Sequence, residues 1–206
     1  MSRYFFYIRY LPEIVNCEFL AGKCIRILHA YQTKFKLRNI GVTFPEWEQD
    51  SIGRTIAFVS KSQGVLVILS QQNYFVRMAE EGYFQVGAVQ LVPDGQEHCE
   101  FIYYRERRLE KATPSAKRRM LKRLQLRAAK AGVEYVHKPE VSECIEVPFV
   151  HQLPSGSSSG ADFLLFVGRM ECEQQKPADF NSYGLGNRPE QQGSVPCLRP
   201  IIFDEK

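Results

Sequence analysis

No run of apolar residues in the chain approaches the length needed to cross a bilayer. The apolar stretch at residues 4–10 is short and carries Arg9, so it reads as a strand rather than a signal segment. The expected setting is therefore cytoplasmic, with no membrane partner. Cysteine never occurs as C-x-x-C: Cys17, Cys24, Cys99, Cys144, Cys172 and Cys197 are scattered, and His98 beside Cys99 lacks companion ligands at useful spacing. This argues against zinc and for reduced thiols. A G-x-S-x-G motif, a P-loop and a carboxylate cluster suited to metals are all missing, so no metal or cofactor is expected. Internal repeats are missing as well. Histidine is scarce, with four in 206 residues, which leaves few candidates for acid–base work.

What the chain has in excess is positive charge in one place. Residues 100–138 hold twelve Lys/Arg against four Glu, a net of +8 in a chain whose total is +4. The remainder holds fifteen basic and nineteen acidic residues, a net of −4. A basic insert in a mildly acidic body marks a localised polyanion site. At about 100° per residue, Arg118, Arg119, Lys122, Arg123, Arg127 and Lys130 share one half of a helix. Met120, Leu121, Leu124, Ala128 and Ala131 share the other, and Leu126 falls among the cations. Thr113 as N-cap, Pro114 at the first position and Gly132 as a stop predict a basic helix over 114–131. Its apolar stripe is expected to dock on the body. Its cations have no acidic partner within the helix, so they repel one another unless solvated or neutralised by a polyanion such as nucleic acid.

The segment Pro93-Asp-Gly-Gln-Glu97 reads as a domain boundary. Before it, residues 4–9 predict a strand. Asn16 can cap a helix with Glu18 near its positive end and Leu20, Cys24, Ile27, Leu28 and Tyr31 as the core stripe. Residues 39–44 and 53–59 read as strands. Ser60 or Ser62 can cap a second helix through Val65, Leu66, Ile68 and Leu69, although the β-branched content keeps a strand as a rival. Residues 84–92 read as a fourth strand.

The order is βαββαβ, a ferredoxin-like arrangement within an α+β fold. It lacks the aromatic signature of the RNA-recognition variant, so the fold alone assigns no function. After the boundary come a strand at 100–106, Arg107 and Arg108, the basic helix, a polar linker at 133–143, and strands at 146–150 and 163–167. These last two flank the loop Pro154-Ser-Gly-Ser-Ser-Ser-Gly160. A loop-rich segment at 174–192 and an extended tail at 195–206 complete the chain. The expected domains are therefore residues 1–94, ferredoxin-like, and 95–206, smaller and β-rich with the basic helix.

Two features carry candidate chemistry. The serine loop reads either as a flexible connection or as a close approach to phosphate or ribose. His29 lies about half a turn from the Leu20/Cys24/Leu28 stripe, near Ile25 and Arg26, and so points away from its own domain's core. It is either an idle surface histidine or a group on the face where a second domain closes over an RNA strand. A phosphodiester enzyme of this composition would work without metal, using RNA's own 2′-OH as nucleophile. That chemistry needs a base near the 2′-OH and groups that fix the ribose.

Several short motifs occur in a specific order: Tyr7-Ile-Arg-Tyr, His29 near the end of the first helix, Arg38-Asn-Ile-Gly-Val-Thr-Phe-Pro45 and the basic helix. Val147-Pro-Phe-Val150 with its serine loop, Phe163-Leu-Leu-Phe166 and Tyr183-Gly-Leu185 follow. Over nearly its whole length the chain resembles the CRISPR repeat-processing endoribonuclease of type I-F systems. The runs from Asn16 to Cys24 and from Arg38 to Val42 are most similar to the branch carried by CRISPR-guided transposons.

The resemblance implies cleavage of precursor CRISPR RNA at the base of each repeat hairpin, leaving 2′,3′-cyclic phosphate and 5′-OH ends. It also implies retention of the stem within a surveillance complex whose other subunits are partners, with a transposon-encoded target-selection subunit as a further one. By position, it makes His29 the general base and Tyr183 the residue that orients it. Ser155 with Ser157, or Ser158 in the other frame, would fix the ribose. The helix bearing Lys117, Arg118, Arg119, Lys122, Arg123, Arg127 and Lys130 would enter the hairpin's major groove, and Arg108 and Glu110, beside RNA-binding Arg107, would be the linker pair that reads bases low in the stem. Glu110 stands where the family usually has glutamine, and an ionised carboxylate accepts but cannot donate. A non-catalytic hairpin-binding subunit is the alternative function. A DNA-binding helix module is a weaker one, because Gln125 is the helix's single candidate among base-reading Asn or Gln.

Overall fold

The computed structural model describes residues 2–93, 99–136, 150–156, 162–186 and 193–203. Its N-terminal sheet follows from long apolar strands. Strand β1, Tyr4–Tyr10, buries Phe5, Phe6, Ile8 and Tyr10. It lies between β3, Thr55–Ser60, and the short β4, Phe84–Val86, and every pairing is antiparallel. Strand β2, Ile40–Thr43, completes the order β2-β3-β1-β4. β2 and β3 are buried at every position, which is why they read as continuous apolar runs rather than alternations. Phe6 and Phe58 sit opposite in register with ring centroids 5.0 Å apart. Helix α1, Cys17–Lys34, starts where Asn16 Oδ1 accepts the Phe19 amide at 2.7 Å, with Glu18 in the first turn as expected. The layout is the ferredoxin-like βαββαβ of an α+β fold.

Local details differ from the sequence reading. The second crossover holds two helices, α2 (Gln63–Ser70) and α3 (Asn73–Glu80), and the second was not foreseen. Ser62 is the N-cap residue of α2 but makes no side-chain cap bond. The expected strand at 84–92 is broken: β4 ends at Val86, and β5, Gln90–Leu91, pairs separately with the start of β1. The break falls where Gly87 packs on the Tyr7 ring and donates its amide to the Tyr7 carbonyl at 2.9 Å.

The second sheet has the order β7-β8-β6-β9 and is antiparallel throughout. Its strands are β6, Glu100–Arg105; β7, Val150–Gly156; β8, Asp162–Cys172; and β9, Val195–Pro196. β7 and β8 pair as far as Ser155 opposite Phe163 and Gly156 opposite Asp162, so Pro154, Ser155 and Gly156 are strand where a loop was expected. The tail expected to be extended instead turns into helix α6, Arg199–Phe203.

One buried core runs through both sheets, from Phe5 and Leu28 to Tyr103, Leu165 and Leu185. The Tyr103 hydroxyl donates to the Phe44 carbonyl at 3.1 Å, and Trp47 lies edge-on to His151 with centroids 4.3 Å apart. Near the sheet edge, fully buried Glu100 accepts from Arg3 Nη1 at 2.9 Å and from Ser194 Oγ at 2.7 Å.

Helix α1 explains how the sheets share a core. Besides its expected stripe it carries a second one, Gly22, Ile25, His29 and Gln32, at spacings of three, four and three. Gly22, Ile25 and Gln32 are buried and His29 is half-buried. This second face lies on β7, where a Cβ added at Gly22 would collide with the Pro154 main chain. Ile25, read from the sequence as lying off the core, is therefore fully buried, a contribution of about 1.5–3 kcal/mol.

Candidate active site and nucleic-acid interface

His29 ends the second stripe of α1, and a turn from the far end of the chain meets it there. The turn is built around Asn181. Its Oδ1 accepts the amides of Tyr183 at 2.8 Å and Leu185 at 3.3 Å, and its carbonyl accepts the Gly184 amide at 2.9 Å. Gly184 has φ 75°, and a Cβ there would crowd Val42 and Leu28, so the position needs glycine twice over. The turn is tied to both sheets. The Val42 amide donates to the Gly184 carbonyl at 3.0 Å, and the Arg105 amide to the Gly186 carbonyl at 3.1 Å. Buried Gln32 adds a bond from Nε2 to the Asn181 carbonyl at 3.3 Å.

This scaffold holds the imidazole on two sides. The Tyr183 ring stacks on His29 with centroids 4.2 Å apart and planes 4° apart. Ser182 Oγ lies 2.9 Å from Nδ1. Burial lowers the His29 pKa below the ordinary histidine value. A hydrogen bond to the Ser182 main chain opposes this, and the charges of Arg38 and Arg105 add to the lowering. The lowering favours the neutral imidazole, the form able to accept a proton.

A second layer backs the stack. Arg105, at the end of β6, places its guanidinium 5.3 Å from the Tyr183 ring centroid and 5.9 Å from that of Phe163. Phe163 meets the Tyr183 ring edge-on at 6.3 Å. Because Ser155 is the register partner of Phe163, the serine segment begins on the strand pair that backs Tyr183. Ser157 and Ser158 lie outside the described residues. The structure thus brings His29 and Tyr183 together.

It also supplies Ser182, Arg38, Arg105, Gln32 and Asn181, which sequence reasoning missed. The signals available were the Gly22-Ile25-His29-Gln32 spacing and an asparagine three residues before a glycine.

Two of the linker residues, Arg108 and Glu110, pair within the protein. Helix α4, Arg107–Ala112, is capped by Glu106, whose Oε1 accepts the Arg108 amide at 2.9 Å and Arg108 Nε at 3.0 Å. Oε2 accepts from Arg108 Nη2 at 2.9 Å, and this pairing holds the Glu106 carboxyl below its ordinary value. Glu110 accepts Arg105 Nε at 2.6 Å, so it faces the Tyr183 layer, not outward. Arg107 is exposed.

Helix α5, Pro114–Lys130, begins as expected, with Thr113 Oγ1 accepting the Ala116 amide at 3.3 Å and Pro114 at its first turn. Gly132 follows the C-cap with φ 66°. The expected docking of its apolar stripe does not occur. No residue of α5 is buried, and Met120 and Leu126 are 47% and 58% exposed. Met120 and Leu124 instead line a groove of about 480 Å³ together with Lys111, Arg119, Arg123 and Arg127. Among the described residues, no carboxylate pairs with Arg118, Arg119, Lys122, Arg123, Arg127 or Lys130. The helix is a cationic rod supported at one end by α4, a form suited to a polyanion groove.

Also among the described residues, no helix is long and apolar enough to cross a membrane, no three His, Cys, Asp or Glu residues cluster as a metal site, and Cys17, Cys24, Cys99, Cys172 and Cys197 are free thiols.

Comparison with known proteins bears on these features. A family model described as CRISPR-associated protein (Cas_Csy4) matches residues 5–197. Among solved structures, that of a CRISPR RNA processing endoribonuclease, Cas6b, is similar over 95% of this chain and 100% of that one, with 12% identity and a TM-score of 0.35. No curated protein matches.

Proposed function

The chain belongs to the Cas_Csy4 family of CRISPR-associated proteins, and from that premise we propose that it is a metal-independent endoribonuclease of precursor CRISPR RNA. It cuts at the base of the repeat hairpin. The observation that carries this reading is the imidazole of His29, stacked on Tyr183 and held at Nδ1 by Ser182. His29 takes the proton of the 2′-OH beside the scissile bond, and the 2′ oxygen attacks phosphorus as the bond to the 5′ oxygen breaks. The departing 5′ oxygen gains a proton, which leaves a 2′,3′-cyclic phosphate and a 5′-OH. A base of this kind contributes roughly 10²–10⁴-fold.

The two parts of the chain divide the work: residues 1–94 carry the base, and residues 95–206 hold the RNA. The cations of α5 contact the stem. A deep A-form groove normally excludes side chains, so the helix enters where the short duplex ends or opens. Because the stem contacts survive the cut, substrate and stem product bind about equally, and the protein keeps its product as a subunit of a type I-F surveillance complex in the cytoplasm. The runs at residues 16–24 and 38–42 support membership of the transposon-borne branch, with a target-selection subunit as a further partner.

The test is cleavage of a cognate repeat hairpin in EDTA. Expected products are one cyclic-phosphate end and one 5′-OH end, with no reaction when the attacking 2′-OH is replaced by 2′-H. A strict magnesium requirement would overturn the mechanism. Tight hairpin binding without any cleavage would leave a non-catalytic RNA-binding subunit.

A further inference from the structure

A neutral imidazole acts as a base only through the nitrogen that lacks a proton, so the tautomer of His29 decides whether the site can work. Tyr183 cannot select it. The imidazole lone pairs lie in the ring plane, and Tyr183 stacks against the ring face with its own plane 4° away. Its hydroxyl lies in that parallel plane, off the direction of either nitrogen's lone pair. The group in hydrogen-bonding position is Ser182, whose Oγ is 2.9 Å from Nδ1.

A hydroxyl can donate or accept, so Oγ alone leaves the tautomer open. With Oγ seated on Nδ1, Nε2 is the ring nitrogen left for a substrate, so a working base needs Nε2 bare and the proton on Nδ1. Oγ then accepts that proton. Ser182 is also held in place independently of His29, by the Asn181 bonds to the Tyr183 and Leu185 amides and by Gln32 Nε2 on the Asn181 carbonyl.

We propose that Ser182 is a positioning residue that keeps the proton of neutral His29 on Nδ1, leaving the Nε2 lone pair to face the RNA as the base. The assignment rests on the endoribonuclease reading, and the tautomer is measured separately from cleavage. Tyr183 then acts as a brace on the ring face rather than as the hydrogen-bond partner.

The experiment uses the full ¹⁵N-labelled chain, with His29 read by long-range ¹H–¹⁵N correlation above its titration. The expected result is a protonated Nδ1 and a bare Nε2. A proton on Nε2 would overturn the proposal, whether or not the protein cuts RNA. Ser182→Ala should mix the two tautomers and slow single-turnover cleavage roughly threefold to tenfold, the worth of one neutral hydrogen bond. Melting temperature and hairpin affinity should stay unchanged. Ser182→Thr restores a hydroxyl and should recover both the tautomer and most of the rate. If Ser182→Ala keeps the wild-type tautomer and rate, the serine has no positioning role. Absence of cleavage in the wild type, with Nδ1 protonated, would refute the nuclease reading and leave the tautomer assignment standing.

Discussion

Helices α1 and α5 are nearly equal in length, 18 and 17 residues, and both begin with a side-chain cap. Their surroundings are opposite. α1 is covered on two faces, one by its own sheet and one by β7, while α5 buries nothing. A helix of this length is marginal in water by itself, so α5 depends on Thr113, Pro114 and its contact with α4, and α1 depends on packing. Packing on two sides fixes a side chain to within fractions of an ångström, which a base needs. Exposure leaves cations hydrated and mobile until a polyanion gathers them, which suits binding. The two helices thus illustrate the same local structure serving positional accuracy in one place and charge density in the other.

The comparison can be broken most forcefully at His29. His29→Ala should reduce cleavage by roughly 10²–10⁴-fold while hairpin affinity, which we assign to α5, stays unchanged in a filter-binding or fluorescence assay. Normal cutting by this variant would return His29 to an idle surface position.

Packing supplies the next test. By helix propensity alone, Gly22→Ala should stabilise α1 by about 1 kcal/mol. The added Cβ collides with the Pro154 main chain, however. The expected net effect in urea unfolding is a loss of about 1–3 kcal/mol. On bare α5, Leu126→Gln should change stability by no more than about 0.5 kcal/mol. Equal effects at both sites would mean that the two helices are not differently supported.

Charge distinguishes the helices in the other direction. If α5 meets roughly five phosphates, log affinity should fall against log salt with a slope of about −3.5 to −4.5. Arg123→Ala should flatten that slope by about 0.7–0.9, one phosphate's worth, with single-turnover cleavage at saturating protein unchanged. An unchanged slope would place the RNA elsewhere.

The smallest expected effect is on pH dependence. The base must be unprotonated, and burial lowers the His29 pKa. The acid limb of the cleavage rate should therefore lie below the ordinary histidine value, with activity held through neutral pH and lost as pH falls past the lowered pKa. Arg38→Gln removes a charge that contributes to the lowering, so the limb should move towards higher pH. Movement the other way would contradict the electrostatics assigned to Arg38.

Part of the layout was legible because its signals are local. Asn16 caps α1, β1 to β3 are apolar runs, and Thr113-Pro114 and Gly132 bracket α5. The strand at 84–92 was misread because the close approach of Gly87 to Tyr7 breaks it, a contact between positions eighty residues apart in sequence. The inward turn of Glu110 was not legible because its partner, Arg105, was equally plausible as an exposed residue, whereas Arg108 pairs with Glu106 and keeps a largely exposed side chain. Ile25 read as off-core because the surface that covers it arrives with β7.

By itself, the sequence determined the order of the elements from β1 to α2, the limits of the basic helix and the concentration of charge in one insert. Caps, periodicity and charge runs act within a few residues of chain. Tertiary structure alone decided which groups hold His29, since Ser182 is 153 residues away and joins it through a turn anchored on β2 and β6. It also decided that the apolar stripe of α5 remains uncovered, because burial depends on whether a complementary surface is brought opposite, and amphipathic spacing can only make a helix ready for one.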